Sequence, residues 1–188
     1  MDEYYLRLVL AGDASKYSYF IDNYKGMAFS IAYRIAGNRE DAEEIVQDAF
    51  LKAFRSLGNF RRGSKFSTWF YRIVVNTSLS RVRTARPATH SLDEDEIGEA
   101  AAEDVESAYR ALELAERKTL VNQAMEELSM EDRLLLTLYY LSENSIEEIS
   151  DITGIIRDNV KMKLHRARGR LYNIMDKRLR TEINSVLP

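Results

Sequence analysis

The sequence predicts an all-α protein of two small helical domains joined by a flexible acidic linker, and three observations carry that prediction. Of 188 residues only Pro87 and Pro188 are proline, so no proline interrupts a helix in the segments on either side of Pro87. Three patterns, Asn38…Asp41, Ser129…Asp132 and Ser145…Glu148, place a side-chain acceptor three residues ahead of an acid, the pairing that satisfies orphan N–H groups at a helix start. No stretch alternates apolar and polar residues between hairpin turns, and no repeat at a period of about 20–50 residues is visible.

Taken in order, the first clear helix runs through Met27, Ile31 and Ile35, and Gly37 ends it. The next is capped by Asn38 and extends to about Leu57. At 100° per residue it puts Val46, Ala49, Phe50, Ala53 and Leu57 on one side and Asp41, Glu44, Gln47 and Asp48 on the other. From Phe60 to Arg86 aromatic and basic residues interleave, with Phe66, Trp69, Phe70 and Ile73 spaced as one buried stripe. A helix capped by Ser129 carries the apolar run Leu134 to Leu141. That run is far short of the roughly 18–20 residues that span a bilayer, so no membrane insertion is expected. Ser145 caps a short helix ending in Gly154, and Ile155 leads into another from about Arg157. This is helix-turn-helix spacing, with Val160, Leu164, Ala167, Leu171 and Ile174 as the buried stripe of the second helix.

Charge divides the chain more sharply than its net value of −3 shows. Residues 1–86 hold 14 Lys/Arg against 9 Asp/Glu, residues 87–116 hold 1 against 10, and residues 117–188 hold 12 against 11. The strip 87–104 contains Pro87, Ser91, Gly98, the run Ala100 to Ala102 and the run Asp93 to Glu96, with little to bury, and reads as a linker between modules 1–86 and 105–188. Between Arg55 and Arg86 there are 8 basic residues and no acid; between Arg157 and Arg180 there are 9 basic residues and two acids, Asp158 and Asp176.

These compositions exclude several chemistries. With no cysteine there are no disulfides, thiolate nucleophiles or thiolate zinc sites, and with no apolar targeting segment at the N-terminus a cytoplasmic location is expected. His165 has no second ligand at metal spacing, and His90 falls in the linker. No phosphate-binding loop, dinucleotide fingerprint or nucleophile elbow is present, so neither enzymatic activity nor a cofactor is expected. The aromatic-basic segment has the composition that single-stranded nucleic acid requires, aromatic faces for bases and cations for phosphates. Phe70 and Ile73 read better as core; Trp69 and Tyr71 fit either role. On the last helix the face opposite the buried stripe presents Asp158, Met162, His165 and Arg166, flanked by Asn159 and Lys161, which suits the edges of bases in a groove. The acidic face of the Asn38 helix is either a solvated surface or a dock for a basic partner.

With that order in place, the sequence resembles an extracytoplasmic function (ECF, group 4) sigma factor of the sigma-70 family. The resemblance rests on Asp41-Ala-Glu-Glu-Ile-Val-Gln-Asp-Ala-Phe50, on Phe66-Ser-Thr-Trp-Phe-Tyr-Arg-Ile73 with Asn76, and on Val160-Lys-Met-Lys-Leu-His-Arg-Ala-Arg168 with Leu171. It implies a promoter-specificity subunit of RNA polymerase whose partners are the clamp helices and flap of the core enzyme, promoter DNA and an anti-sigma factor. On this reading Asp41, Glu44, Gln47 and Asp48 dock on core polymerase. Arg61, Arg62, Lys65, Trp69, Arg72, Asn76 and Arg81 handle the −10 element, and Arg157, Asn159, Lys161, Met162, Lys163, His165 and Arg166 read the −35 element. Two other readings stay open at this point: a free-standing dimeric regulator, which has no need of the N-terminal module, and a decoy that sequesters an anti-sigma factor, which has no need of the basic faces.

Overall fold

A computed structural model describes residues 1–60, 63–84 and 117–186, with side chains to residue 181. The linker 87–104, Arg61, Arg62 and His90 lie outside the described residues. The first lobe holds α1 (Asp2–Leu10), a 3-10 turn (Ala14–Tyr17), α2 (Ser18–Ala36), α3 (Arg39–Ser56), a second 3-10 turn (Leu57–Asn59) and α4 (Phe66–Thr84). The second holds a helix over residues 117–126 (α5), α6 (Met130–Tyr140), α7 (Ile146–Thr153) and α8 (Arg157–Val186). All described elements are helical, as expected.

The capping chemistry holds at each start. Asn38 Oδ1 accepts the Asp41 N–H at 2.8 Å, Ser129 Oγ accepts that of Asp132 at 3.2 Å, and Ser145 and Glu148 exchange bonds as a complete capping box. Gly37 ends α2 and Gly154 ends α7, at φ of 82° and 75°, the left-handed conformation that glycine adopts without a Cβ penalty.

In the first lobe α2, α3 and α4 pack against one another around aromatic rings. Phe66 lies 4.3 Å from Phe20 and Phe70 lies 4.5 Å from Phe50, centroid to centroid. The Tyr17 hydroxyl donates to the Phe50 carbonyl at 2.9 Å, so this buried phenol is satisfied, and burial raises its pKa. On α3 the deep positions are Ala42, Ile45, Ala49, Phe50 and Ala53; Val46, expected in the stripe, sits half-buried at its edge. Capping motifs do not announce α1. It buries Leu6 and Val9, stacks Tyr5 on Tyr19 at 4.0 Å, and sets the Asp2 carboxylate to accept from Tyr19 at 2.9 Å and Tyr24 at 2.5 Å.

The second lobe is built on Leu135, Leu138, Ile149, Ile152, Val160, Leu164 and Ala167, all buried. Leu171 and Ile174, expected in the same stripe, are only half-buried, because α8 runs on for 30 residues, about 45 Å at 1.5 Å per residue. The lobes also touch. α2 packs on α6 and α4 on α7, and Arg34 donates to Asn122 Oδ1 at 2.9 Å.

Phe70 is fully buried where α2, α3 and α4 meet. Phe70→Ala is expected to destabilise the first lobe by about 3–5 kcal/mol, the transfer cost of the ring plus that of the cavity left behind, read as a lower urea midpoint by circular dichroism.

Candidate nucleic-acid and polymerase interfaces

Because Phe66, Phe70 and Val74 turn one side of α4 into the core, the opposite side is fixed as surface. Lys65, Trp69, Arg72 and Asn76 follow at spacings of four, three and four residues and form one stripe along it. Lys65 stands just ahead of the helix, and its carbonyl accepts the Trp69 N–H at 3.3 Å. Trp69 is half-buried, its ring 5.1 Å from Phe60 and 5.6 Å from Phe66, so one edge still reaches the surface. Tyr71 is core instead: it is 6% exposed and packs near Tyr24, and burial raises its phenol to about 12. Arg72 and Asn76 are exposed, and their side chains have no ion pair or hydrogen-bond partner among the described residues.

Arg81 stands apart from this stripe. Five residues beyond Asn76 is about 140° further round the helix, which turns Arg81 toward α3. There it bonds Asp41 at 3.2 Å and also pairs with Glu44, and these bonds, that to Glu44 first, raise its pKa. One basic residue expected at DNA therefore bridges two acids expected at polymerase. Of that acidic set, Gln47 and Asp48 are exposed with no side-chain partner among the described residues.

The helix-turn-helix is α7, the turn 154–156 and the start of α8. Side chains fasten the turn: Ser150 Oγ donates to the Ile155 carbonyl at 2.7 Å and Thr153 Oγ1 accepts the Ile155 N–H at 3.3 Å. With Val160, Leu164 and Ala167 buried, Asn159, Lys161, Met162, His165 and Arg166 are all exposed. Arg157 is exposed too but pairs with Glu147 at 2.7 Å. Lys163 flanks the buried stripe and is drawn back to Glu131 of α6 at 2.6 Å, away from the reading face. Arg170 bonds Asp132 at 2.8 Å and Arg178 bonds Glu127 at 2.6 Å, while Arg168 lies over the Tyr139 ring at 4.8 Å.

Sequence periodicity gave no sign of a contact between the lobes. Lys65 Nζ lies 2.8 Å from Glu148 Oε1, and that bond is the main cause holding the Glu148 carboxyl below its usual value; partial burial opposes it and the Ser145 hydrogen bonds assist. Among the described residues no group of three or more His, Asp or Glu could hold a metal ion, and no helix is long and apolar enough to cross a membrane.

A helical lobe with an aromatic-basic face, followed by a lobe carrying a helix-turn-helix, defines a two-module DNA-binding transcription factor. The chain matches the family model for Sigma-70 region 2 over residues 20–87 and that for Sigma-70, region 4 over residues 118–171. It is 32% identical over 176 residues to the ECF RNA polymerase sigma factor SigW of Bacillus subtilis (strain 168), covering 88% of this chain and 92% of the relative. Its fold is similar to that of CnrH, solved in complex with the cytosolic domain of CnrY, at a TM-score of 0.67 and 21% identity, covering 94% of this chain and 97% of that one. It is also similar to the sigma factor RpoE, solved with the anti-sigma factor NepR from Bartonella quintana, at a TM-score of 0.62 and 20% identity, covering 84% and 96%.

This chain belongs to the sigma-70 family, in its ECF group. It is a promoter-specificity subunit of bacterial RNA polymerase, a transcription initiation factor and not an enzyme.

A Cβ on Gly154 meets no atom within 4 Å, so only its backbone conformation resists substitution. Gly154→Ala is expected to cost about 1–2 kcal/mol through the positive φ alone, and Gly154→Asn less, measured as the shift in urea midpoint of the full chain.

Proposed function

We propose that the chain divides its work as module 1–86, acidic linker 87–104 and module 105–188. The first module holds core polymerase and the −10 element, and the last reads the −35 element as duplex. What carries this reading is the pair of exposed faces left by the two cores. The stripe Lys65, Trp69, Arg72 and Asn76 combines cations with an accessible aromatic edge and an amide, as a separated strand requires. Lys161, Met162, His165 and Arg166 cluster at the first turns of α8, where a groove-entering helix contacts bases. Asn159 lies beside them, Arg157 and Lys163 serve at the margin, and Arg81 acts through α3. Arg61 and Arg62 belong to the −10 set by sequence alone.

Gln47 and Asp48 are the core-binding side chains of the acidic face, with Asp41 and Glu44 held in place beside them by Arg81. The clamp helices and the flap of core polymerase are the proposed contacts. An anti-sigma factor is a further proposed partner, since CnrH was solved with the cytosolic domain of CnrY and RpoE with an anti-sigma factor. A cytoplasmic location accords with a factor that works on polymerase and DNA.

Two substitutions test the faces. Arg166→Ala is expected to cost about 1–3 kcal/mol at one −35 position if the side chain reads a base. A pure phosphate contact weakens all sequences alike and lowers the salt slope by about 0.9. Binding of holoenzyme to a randomised −35 library separates these, and unchanged preference and affinity remove Arg166 from the interface. Asp48→Arg alters a side chain with no partner among the described residues, so circular dichroism is expected to stay native while pull-down of core polymerase fails.

A further inference from the structure

Sulfur enters this chain as methionine alone, at positions 1, 27, 125, 130, 162 and 175, with no cysteine. Burial sorts the six. Met125 is 6% exposed, and Met27, Met130 and Met175 are half-buried, the first two packed against the core. Met1 is open at 88%, ahead of α1 in the first lobe. Met162, at 44%, is the other open thioether, and it lies among the side chains proposed to read the −35 element; this inference rests on that reading.

The period of α8 sets what surrounds it. Val160, Leu164 and Ala167 hold one side of the helix in the core and turn Met162 outward. Asp158 and Asn159 stand one turn before it and His165 and Arg166 one turn after, all exposed. Met162 is thus an apolar tip set among polar ones. In the major groove the surface that fits such a tip is the thymine methyl, since the other base-edge groups there are hydrogen-bond donors and acceptors. An unbranched thioether adapts well to that contact, and its sulfur is also open to oxidation.

We propose that Met162 is a reversible oxidation site, with a hydroperoxide as oxidant, and that its sulfoxide weakens −35 binding. A sulfur lone pair attacks one peroxide oxygen, so that the S–O bond forms as the O–O bond breaks. The proton of the transferred oxygen passes to the departing one, which leaves as water or an alcohol. Sulfur gives up two electrons and the peroxide accepts them. The product holds a polar, chiral sulfoxide where an apolar contact stood, and a thymine methyl offers that oxygen no donor. A thiol-dependent reductase returns the thioether: the oxygen leaves as water and two thiols become a disulfide. A side chain seated in a groove is covered, so the free chain is the form that peroxide reaches.

For the test, the free full-length chain is treated with graded hydrogen peroxide, freed of it, and joined to untreated core polymerase. Tandem mass spectrometry counts the oxygen gained at each methionine. Binding of the holoenzyme is measured on the best-bound duplex from the randomised −35 library, before and after treatment, and again after reduction by methionine sulfoxide reductases of both epimer specificities. Met162→Leu removes the sulfur and keeps an apolar tip; Met162→Gln places a neutral polar group there. Met1 is common to every variant, so its oxidation cancels in the comparison.

Met162 and Met1 are expected to gain oxygen well ahead of Met125. Treatment is expected to weaken binding by the parent about fivefold, with recovery on reduction, and untreated Met162→Gln is expected to bind about as the treated parent does. Whatever its starting affinity, Met162→Leu is expected to bind equally before and after treatment. Oxidation of Met162 no faster than that of Met125, or an equal loss in Met162→Leu, overturns the proposal. Arg166→Ala without peroxide separates the remaining failures. If it weakens binding while oxidised Met162 does not, the reading face stands and the oxidation site falls; if Arg166→Ala and Met162→Gln both bind as the parent does, the reading face falls and the oxidation site with it.

Discussion

The packing of Phe66 and Phe70 into the rings of Phe20 and Phe50 is the constraint on which the first lobe depends. A helix has one circumference, and once these rings and Val74 take one side of it, Lys65, Trp69, Arg72 and Asn76 have nowhere to go but outward. The proposed nucleic-acid face is therefore a by-product of core formation. Burying the aromatics also brings α3 beside α4, close enough for Arg81 to reach Asp41 and Glu44. Exposed pairs of this kind add little to stability, but they fix how a polar face is presented.

The second lobe solves a related problem with charge. Its long last helix carries many cations, and a helix left to bind DNA with all of them would hold any sequence. Several are instead bonded internally: Lys163 to Glu131, Arg170 to Asp132 and Arg178 to Glu127. Those left outward near the turn, Lys161 and Arg166 with His165 between them, are few and close together. Base contacts specify where phosphate contacts only position, so withdrawing cations from the surface sharpens discrimination.

Much of this was legible in the residues. The caps at Asn38, Ser129 and Ser145, the stops at Gly37 and Gly154 and the stripe Val160, Leu164 and Ala167 are local chemistry, and local chemistry is written in spacing. Periodicity tells which side of a helix is inward but not which neighbour receives it. That is why Arg81 and Lys163 were read with the DNA faces although each answers to an acid more than thirty residues away in sequence. It is also why Trp69 and Tyr71 could not be separated beforehand. Only the approach of Tyr24 decides that Tyr71 is inside, and the Asp2 carboxylate that organises Tyr19 and Tyr24 comes from a helix with no cap to betray it.

Three of the bonded cations of α8, Lys163, Arg170 and Arg178, fall at intervals of seven and eight residues, about 20° short of two turns and about 80° beyond them, so they lie within about 80° of its circumference. A rod pinned along one line cannot roll. Slipping α8 by one residue would swing it by 100°, break all three bonds together and turn Arg166 off the exposed face it shares with Met162 and His165. The pins thus set the angular phase of the reading side chains, as a key sets the angle of a shaft, and what they stabilise is a setting more than a fold. The proposed sequence discrimination at one end of the helix is in this sense held by carboxylates that grip about half its length.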